Sequence, residues 1–186
     1  MTNADPEHRM SQSSLDQPQI AATAEAGWFE RFLPRSRSKA VFIFTITCYT
    51  FTLSAIAGRL IRLFGASPTP NINYRTSTVL DTVVGPLVFA PVVESFIVIG
   101  LIELVRRLRF NVAIQIAISV SINCFLHSFS EPFWGLAVAP GFLIGAAAYI
   151  YWRRVSFWIG AQTIILLHFF YNAIVFTGVL ADWLHR

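Results

Sequence analysis

Four polar side chains lie inside otherwise apolar stretches of this chain: Glu94, His127, His168 and Asn172. A carboxylate, two imidazoles and a carboxamide have complementary uses in hydrolysis. The carboxylate can take a proton from water, and a histidine can share that task or hold the water in place. A histidine and an asparagine can together donate hydrogen bonds to an oxyanion. His168 and Asn172 stand four residues apart, so a helix projects both from one face. The same set allows a second chemistry. Two histidines and a glutamate match a catalytic zinc site with an open position, and its ligands would be Glu94, His127 and His168. A third use, axial ligation of a haem by His127 and His168, leaves Glu94 and Asn172 without roles. Taken alone, His127 also reads as an ordinary interfacial histidine, because the polar run Ser128-Phe129-Ser130-Glu131-Pro132 follows it.

The elements that must position these groups are membrane helices. Of the 186 residues 55% are hydrophobic and only 13% charged, which is too apolar for a soluble domain of this size. About 20 residues cross the hydrocarbon core, and five apolar stretches are long enough, near residues 40–63, 79–105, 110–128, 133–152 and 155–181. The expected fold is therefore all-α, a polytopic transmembrane helix bundle of about five spans. Residues 1–38 are polar and lack an apolar core, so they read as a disordered cytoplasmic tail ahead of a helical domain over 39–186. Within that tail, Trp28, Phe29, Phe32 and Leu33 could lie flat in the membrane interface. An ionisable residue near the centre of a membrane helix costs roughly 2.5–3.5 kcal/mol on insertion scales. A chain that keeps three of them is expected to use them.

Lys and Arg mark the orientation. Arg31, Arg35, Arg37 and Lys39 precede the first span, Arg106, Arg107 and Arg109 link the second to the third, and Arg153 and Arg154 link the fourth to the fifth. With five spans these fall on one side, which the positive-inside rule places in the cytoplasm together with the N-terminus. The net charge of +4 is accounted for by these flanks and calls for no nucleic-acid partner. Cys48 and Cys124 both fall inside spans, which argues against a disulfide framework. Cys124 lies one turn before His127 and can be drawn as a nucleophile–base pair, but buried cysteines mostly behave as small hydrophobes. Glu103, with Arg106 and Arg107 three and four residues on, has the spacing of an intrahelical ion pair and reads as structural. Pro91, one turn before Glu94, is expected to free the carbonyl of Leu87 and to bend the helix beside a small polar cavity. Gly141 and Gly145, followed by three alanines, read as a packing helix.

The order of these motifs resembles a known family, the CAAX-prenyl-protease and bacteriocin-processing group of intramembrane endopeptidases. The family's first motif, Pro-x-x-Glu-Glu-x-x-x-Arg-Gly, is approximated by Pro91-Val92-Val93-Glu94-Ser95-Phe96-Ile97-Val98-Ile99-Gly100. Its second, Phe-x-x-x-His, corresponds to Asn123-Cys124-Phe125-Leu126-His127, and its third, His-x-x-x-Asn, is intact as His168-Phe169-Phe170-Tyr171-Asn172. Gly145 through Trp158 resembles the Gly-rich helix and aromatic–basic turn between them, so the likeness covers roughly residues 82–176.

The resemblance implies an intramembrane protease in which Glu94 and His127 activate water while His168 and Asn172 support the oxyanion. The substrate would be a membrane-embedded or membrane-tethered peptide, any cofactor a divalent metal such as zinc, and the location a bacterial cytoplasmic membrane. Three positions depart from the pattern: Ser95 replaces the second Glu, Ile99 the Arg and Asn123 the Phe. Positions 95 and 99 are helical neighbours, so the family's Glu and Arg could pair there. Losing one leaves an unpaired buried charge, whereas losing both can be close to neutral. The departures also motivate a non-catalytic scaffold or immunity protein as the alternative. At about 1.5 Å per residue, Glu94 lies about 18 Å from Arg106 and His127 about 27 Å from Arg109, deeper from the basic side than from the other.

Overall fold

The computed structural model describes residues 38–66, 80–129 and 131–184, with side chains described over 38–66, 83–129 and 131–178. The tail, including its aromatic stretch, lies outside the described residues apart from Ser38. Five α-helices follow in order: α1 (Lys39–Leu63), α2 (Ala90–Arg107), α3 (Val112–Ser128), α4 (Trp134–Arg153) and α5 (Phe157–Leu184). A π-helical segment, Leu80–Phe89, leads into α2. Among the described residues there is no β-strand. The bundle is all-α, as the apolar periodicity required.

Local chemistry sets the helix starts. Ser38 caps α1, its Oγ accepting from Val41 N–H at 3.5 Å. Asn111 caps α3 more tightly, Oδ1 accepting from Ile114 N–H at 3.0 Å, and Ser156 Oγ accepts from Ile159 N–H at 3.1 Å at the start of α5. Arg109 adopts a positive φ of 62° between α2 and α3, which turns the chain sharply and lets α3 begin only at Val112. At 17 residues α3 is shorter than the other four helices; α1, α4, α5 and α2 continued back through its π-helical lead-in to Val83 are long and apolar enough to cross a membrane. The chain is an integral membrane protein.

The fourth helix organises the bundle. It packs against α1, α3 and α5, while α2 packs against α3 and α5. Gly145, Ala146, Ala147 and Ala148 are all buried, and small side chains on that face let neighbouring backbones come close. A Cβ on Gly145 would lie 3.4 Å from Ile164 Cγ1 of α5, and one on Gly141 would lie 3.7 Å from Thr50 Cγ2 of α1. Gly135 is tighter still: a Cβ there would run into the Cys124 carbonyl oxygen and Ser128 Oγ of α3. The core cluster joins Phe42 and Ile46 of α1, Val98 and Ile102 of α2, Phe142 and Tyr149 of α4, and Ile164 and Leu167 of α5.

Polar contacts bring the basic flanks to one end. Glu103 Oε2 accepts from Arg106 at 2.8 Å, and of the two sequence candidates it is Arg106 that makes the pair. Glu103 also ties α2 to α4. Tyr149 Oη donates to its Oε1 at 2.8 Å, Arg153 Nη2 donates to its Oε2 at 3.1 Å, and Arg153 Nε pairs with its Oε1. Lys39 Nζ donates to Gln162 Oε1 at 3.2 Å, which places the start of α1 beside the start of α5. The α2–α3 turn, the α4–α5 turn and the start of α1 therefore share an end.

Replacing Gly135 with alanine should destabilise the bundle by about 1–3 kcal/mol through overpacking against the α3 backbone. Gly100→Ala is the control, because a Cβ there meets nothing within 4 Å. Thermal unfolding of the purified protein in detergent should separate the two, with the alanine at position 100 neutral or mildly stabilising.

Candidate functional site

The sequence-singled polar residues converge beyond the midpoint of the bundle, away from its basic end. Glu94 lies in the second turn of α2, His127 in the last turn of α3 and His168 in the middle of α5. Glu94 Oε2 is 3.5 Å from His127 Nε2 and 3.5 Å from His168 Nε2. One carboxylate oxygen thus serves imidazoles from two other helices. The three side chains keep only 25%, 13% and 17% of their surface accessible, which places the cluster inside the helices rather than on the lipid-facing surface.

The orientation of His127 is determined by its own helix. Its Nδ1 lies 2.9 Å from the Asn123 carbonyl oxygen, which can only accept, so Nδ1 carries the hydrogen. In the neutral ring Nε2 is then a lone pair facing the Glu94 carboxylate. Two acceptors facing each other need a proton or a hydrogen-bonded water to reconcile them. Phe142 of α4 packs edge-on to both imidazoles, with centroids 5.0 Å from His127 and 6.1 Å from His168. Trp134, the first residue of α4, covers His127 from the loop side at 4.8 Å. Neither aromatic carries a sequence signature, since apolar rings are common in these helices and only the α3–α4 crossing brings them to the histidines.

Asn172 lies one turn beyond His168, and its Nδ2 donates to the Pro86 carbonyl oxygen at 2.8 Å. The π-helical register explains the orphaned acceptor. With i to i+5 spacing, the Pro86 carbonyl points toward residue 91, a proline with no N–H. In an α register Pro91 frees the Leu87 carbonyl; the Pro86 carbonyl is the one to which α5 supplies a donor. Asn172 keeps a second amide hydrogen.

The three departures from the family pattern are all in the protein interior. Ser95 and Ile99 are 1% and 3% exposed on α2, and Ser95 Oγ is buried with no hydrogen-bond partner. A lone charge at either position would be expensive there. Asn123 is buried as well, its Nδ2 donating to the Ser119 carbonyl at 2.8 Å while its own carbonyl orients His127.

Cys48 and Cys124 are both free thiols. Among the described residues no group of three or more His, Cys, Asp or Glu side chains is arranged to hold a metal ion. Glu94, His127 and His168 nevertheless meet at one point, the Glu94 Oε2 lying 3.5 Å from the Nε2 of each histidine. No family model matches the chain, and neither does any curated protein or solved structure.

Asn172→Ala should leave the Pro86 carbonyl unpaired and cost about 1–3 kcal/mol. Hydrogen exchange should rise in residues 80–89 with little change in α3 or α4. Unchanged protection of that segment would show that another group satisfies the carbonyl.

Proposed function

We propose that this chain is an intramembrane endopeptidase of the kind it resembles, cleaving a peptide bond in a membrane-embedded or membrane-tethered substrate. The observation that carries the reading is the single Glu94 oxygen placed 3.5 Å from both imidazole nitrogens, with the three residues coming from three helices. Ionisable groups at membrane depth are costly, and a purely structural role would be met more cheaply by apolar packing.

In the proposed reaction a water enters beside Glu94 Oε2 and His127 Nε2. Glu94 takes one of its protons as the water oxygen bonds to the scissile carbonyl carbon. His168 and the second amide hydrogen of Asn172 stabilise the oxyanion that forms. When the tetrahedral intermediate collapses, the C–N bond breaks and the proton held by Glu94 passes to the departing amine. A positioned general base contributes about 10²–10⁴ in rate, and one oxyanion donor about 10²–10³. Phe142 and Trp134 shield the histidines and restrict bulk water. By the positive-inside rule the N-terminus is cytoplasmic in a bacterial cytoplasmic membrane, and the site lies about 18 Å from the basic end.

The buried, unpartnered Ser95 Oγ favours one second reading, a non-catalytic scaffold or immunity protein that has lost the ion pair supporting the site. The bis-histidine haem reading gains no support, because the Glu94 carboxylate and the Phe142 ring occupy the neighbourhood of both imidazoles.

Comparative peptidomics of membranes separates the first two readings. A deletion strain should lack a set of mature peptides that wild-type protein restores. Strains carrying Glu94→Ala, His127→Ala or His168→Ala should lack the same peptides, with processing slowed at least about 10²-fold. Full restoration by Glu94→Ala would remove the protease reading and leave the scaffold.

A further inference from the structure

One face of α3 is polar along most of its length. Gln115, Ser119, Asn123 and His127 stand four residues apart, so the helix stacks them in a single row. The first three are at most 6% exposed. Polar side chains between membrane helices ordinarily hydrogen-bond to a neighbouring helix and hold the two together. Those three do not. Gln115 Nε2 donates to the Phe110 carbonyl in the turn before α3, and Asn123 Nδ2 donates to the Ser119 carbonyl, both at 2.8 Å. Ser119 Oγ is fully buried and has no hydrogen-bond partner among the described residues. As cohesion between helices the row gains little, and apolar side chains would fill the same face at lower cost.

Ser95 supplies a second buried hydroxyl without a partner, on α2 and next to Glu94. It stands 12 residues back from the end of α2 at Arg107, and Asn123 stands 11 residues on from the start of α3 at Val112. The two helices are antiparallel across a short turn, so these positions lie at nearly the same level. Ser95 and Asn123 are also smaller than the Glu and Phe of the pattern the chain resembles, and take up less room there.

The spacing of the row fits one small ligand. Four residues of helix rise about 6 Å, and a water making two hydrogen bonds of about 2.8 Å each spans that distance. Buried waters bind where polar groups otherwise lack partners. The hydroxyls of Ser95 and Ser119 are such groups, and Gln115 and Asn123 each keep an amide oxygen able to accept. Both ends of the row suit water as well. At one end Gln115 meets a half-open groove lined by Arg106 and Arg153. At the other, His127 Nε2 and Glu94 Oε2 face each other as two acceptors that a water can reconcile.

We propose that the Gln115–Ser119–Asn123 face of α3 binds a file of water molecules running from the basic end of the bundle to the Glu94 cluster, with Ser95 at its inner end. The use of that water rests on the protease reading, in which each bond broken consumes one water molecule. Its binding does not. The file supplies the site from the basic end, while Trp134 and Phe142 cover His127.

The test follows modification of single cysteines by silver ion, a probe that dissolves in water and not in lipid. It uses the full-length protein carrying Cys48→Ala and Cys124→Ala, in sealed liposomes with the basic end outward. A thiol binds metal as the thiolate, which an apolar surrounding disfavours, so Ser119→Cys should react at least about tenfold faster than Ser121→Cys. Position 121 is exposed on the opposite, lipid-facing side of the same helix. Gln115→Leu should slow the reaction of Ser119→Cys by about five- to tenfold, the loss of one hydrogen-bonded link. Ser95→Cys is read in parallel and keeps the test valid if Ser119→Cys fails to fold. Equally slow reaction of Ser119→Cys and Ser121→Cys would show a dry packing face and overturn the proposal. Fast reaction of Ser119→Cys that Gln115→Leu leaves unchanged would overturn the route from the basic end. The rates are read without substrate, so failure of the protease reading would leave them unaltered.

Discussion

In a bilayer there is no water to satisfy a stranded polar group, and that constraint organises this bundle more than any single apolar contact. The acids, histidines and amides that enter the helices find partners on another helix or on their own backbone, whereas the small hydroxyl of Ser95 is left without one. At one end Glu103 collects Arg106, Arg153 and Tyr149, so an acid on α2 fastens α4. At the other, Glu94 collects His127 and His168, and Asn172 satisfies the carbonyl that Pro91 cannot. Helix α2 carries both acids and thereby sets the rotation of the helices around it. The two clusters differ in character. Glu103 faces permanently charged guanidiniums and forms a clamp, whereas Glu94 faces imidazoles whose protonation can change.

Apolar packing then determines how closely these clusters can assemble. The turn of α4 from Gly145 to Ala148 presents almost no side-chain bulk, so α5 can approach it closely at Gly145. Gly135 allows α3 to approach α4 so closely that Trp134 covers His127. Dispersion and small-residue packing are the main attraction between helices in lipid. The polar clusters then select among the rotations that such packing permits.

The helices themselves were legible because their signals are local. Apolar runs of spanning length lay where the helices form, and the caps Ser38, Asn111 and Ser156 sit directly before them. The intrahelical partner of Glu103 was legible from its spacing. Its partners on α4 were not, because Tyr149 and Arg153 are 46 and 50 residues away and nothing in a linear pattern relates them to an acid on α2. The π register was equally hidden. A proline shows that some carbonyl upstream is freed, but which one depends on the hydrogen-bond register, and that is a property of the folded segment. The late start of α3 follows from Arg109 taking a positive φ, a conformation that residues other than glycine and asparagine seldom adopt.

By itself, then, the amino-acid sequence determined the membrane class, the number and positions of the helices, and the identities of Glu94, His127, His168 and Asn172. All of these follow from composition, periodicity and the cost of polar groups in lipid. Only the tertiary structure decided that one oxygen of Glu94 lies at equal distance from both imidazoles, that Asn172 donates to the Pro86 carbonyl, and that Tyr149 and Arg153 of α4 meet Glu103. Those relations depend on helix rotation and crossing, which are set by the summed packing of the neighbouring helices and leave no periodic trace along the chain.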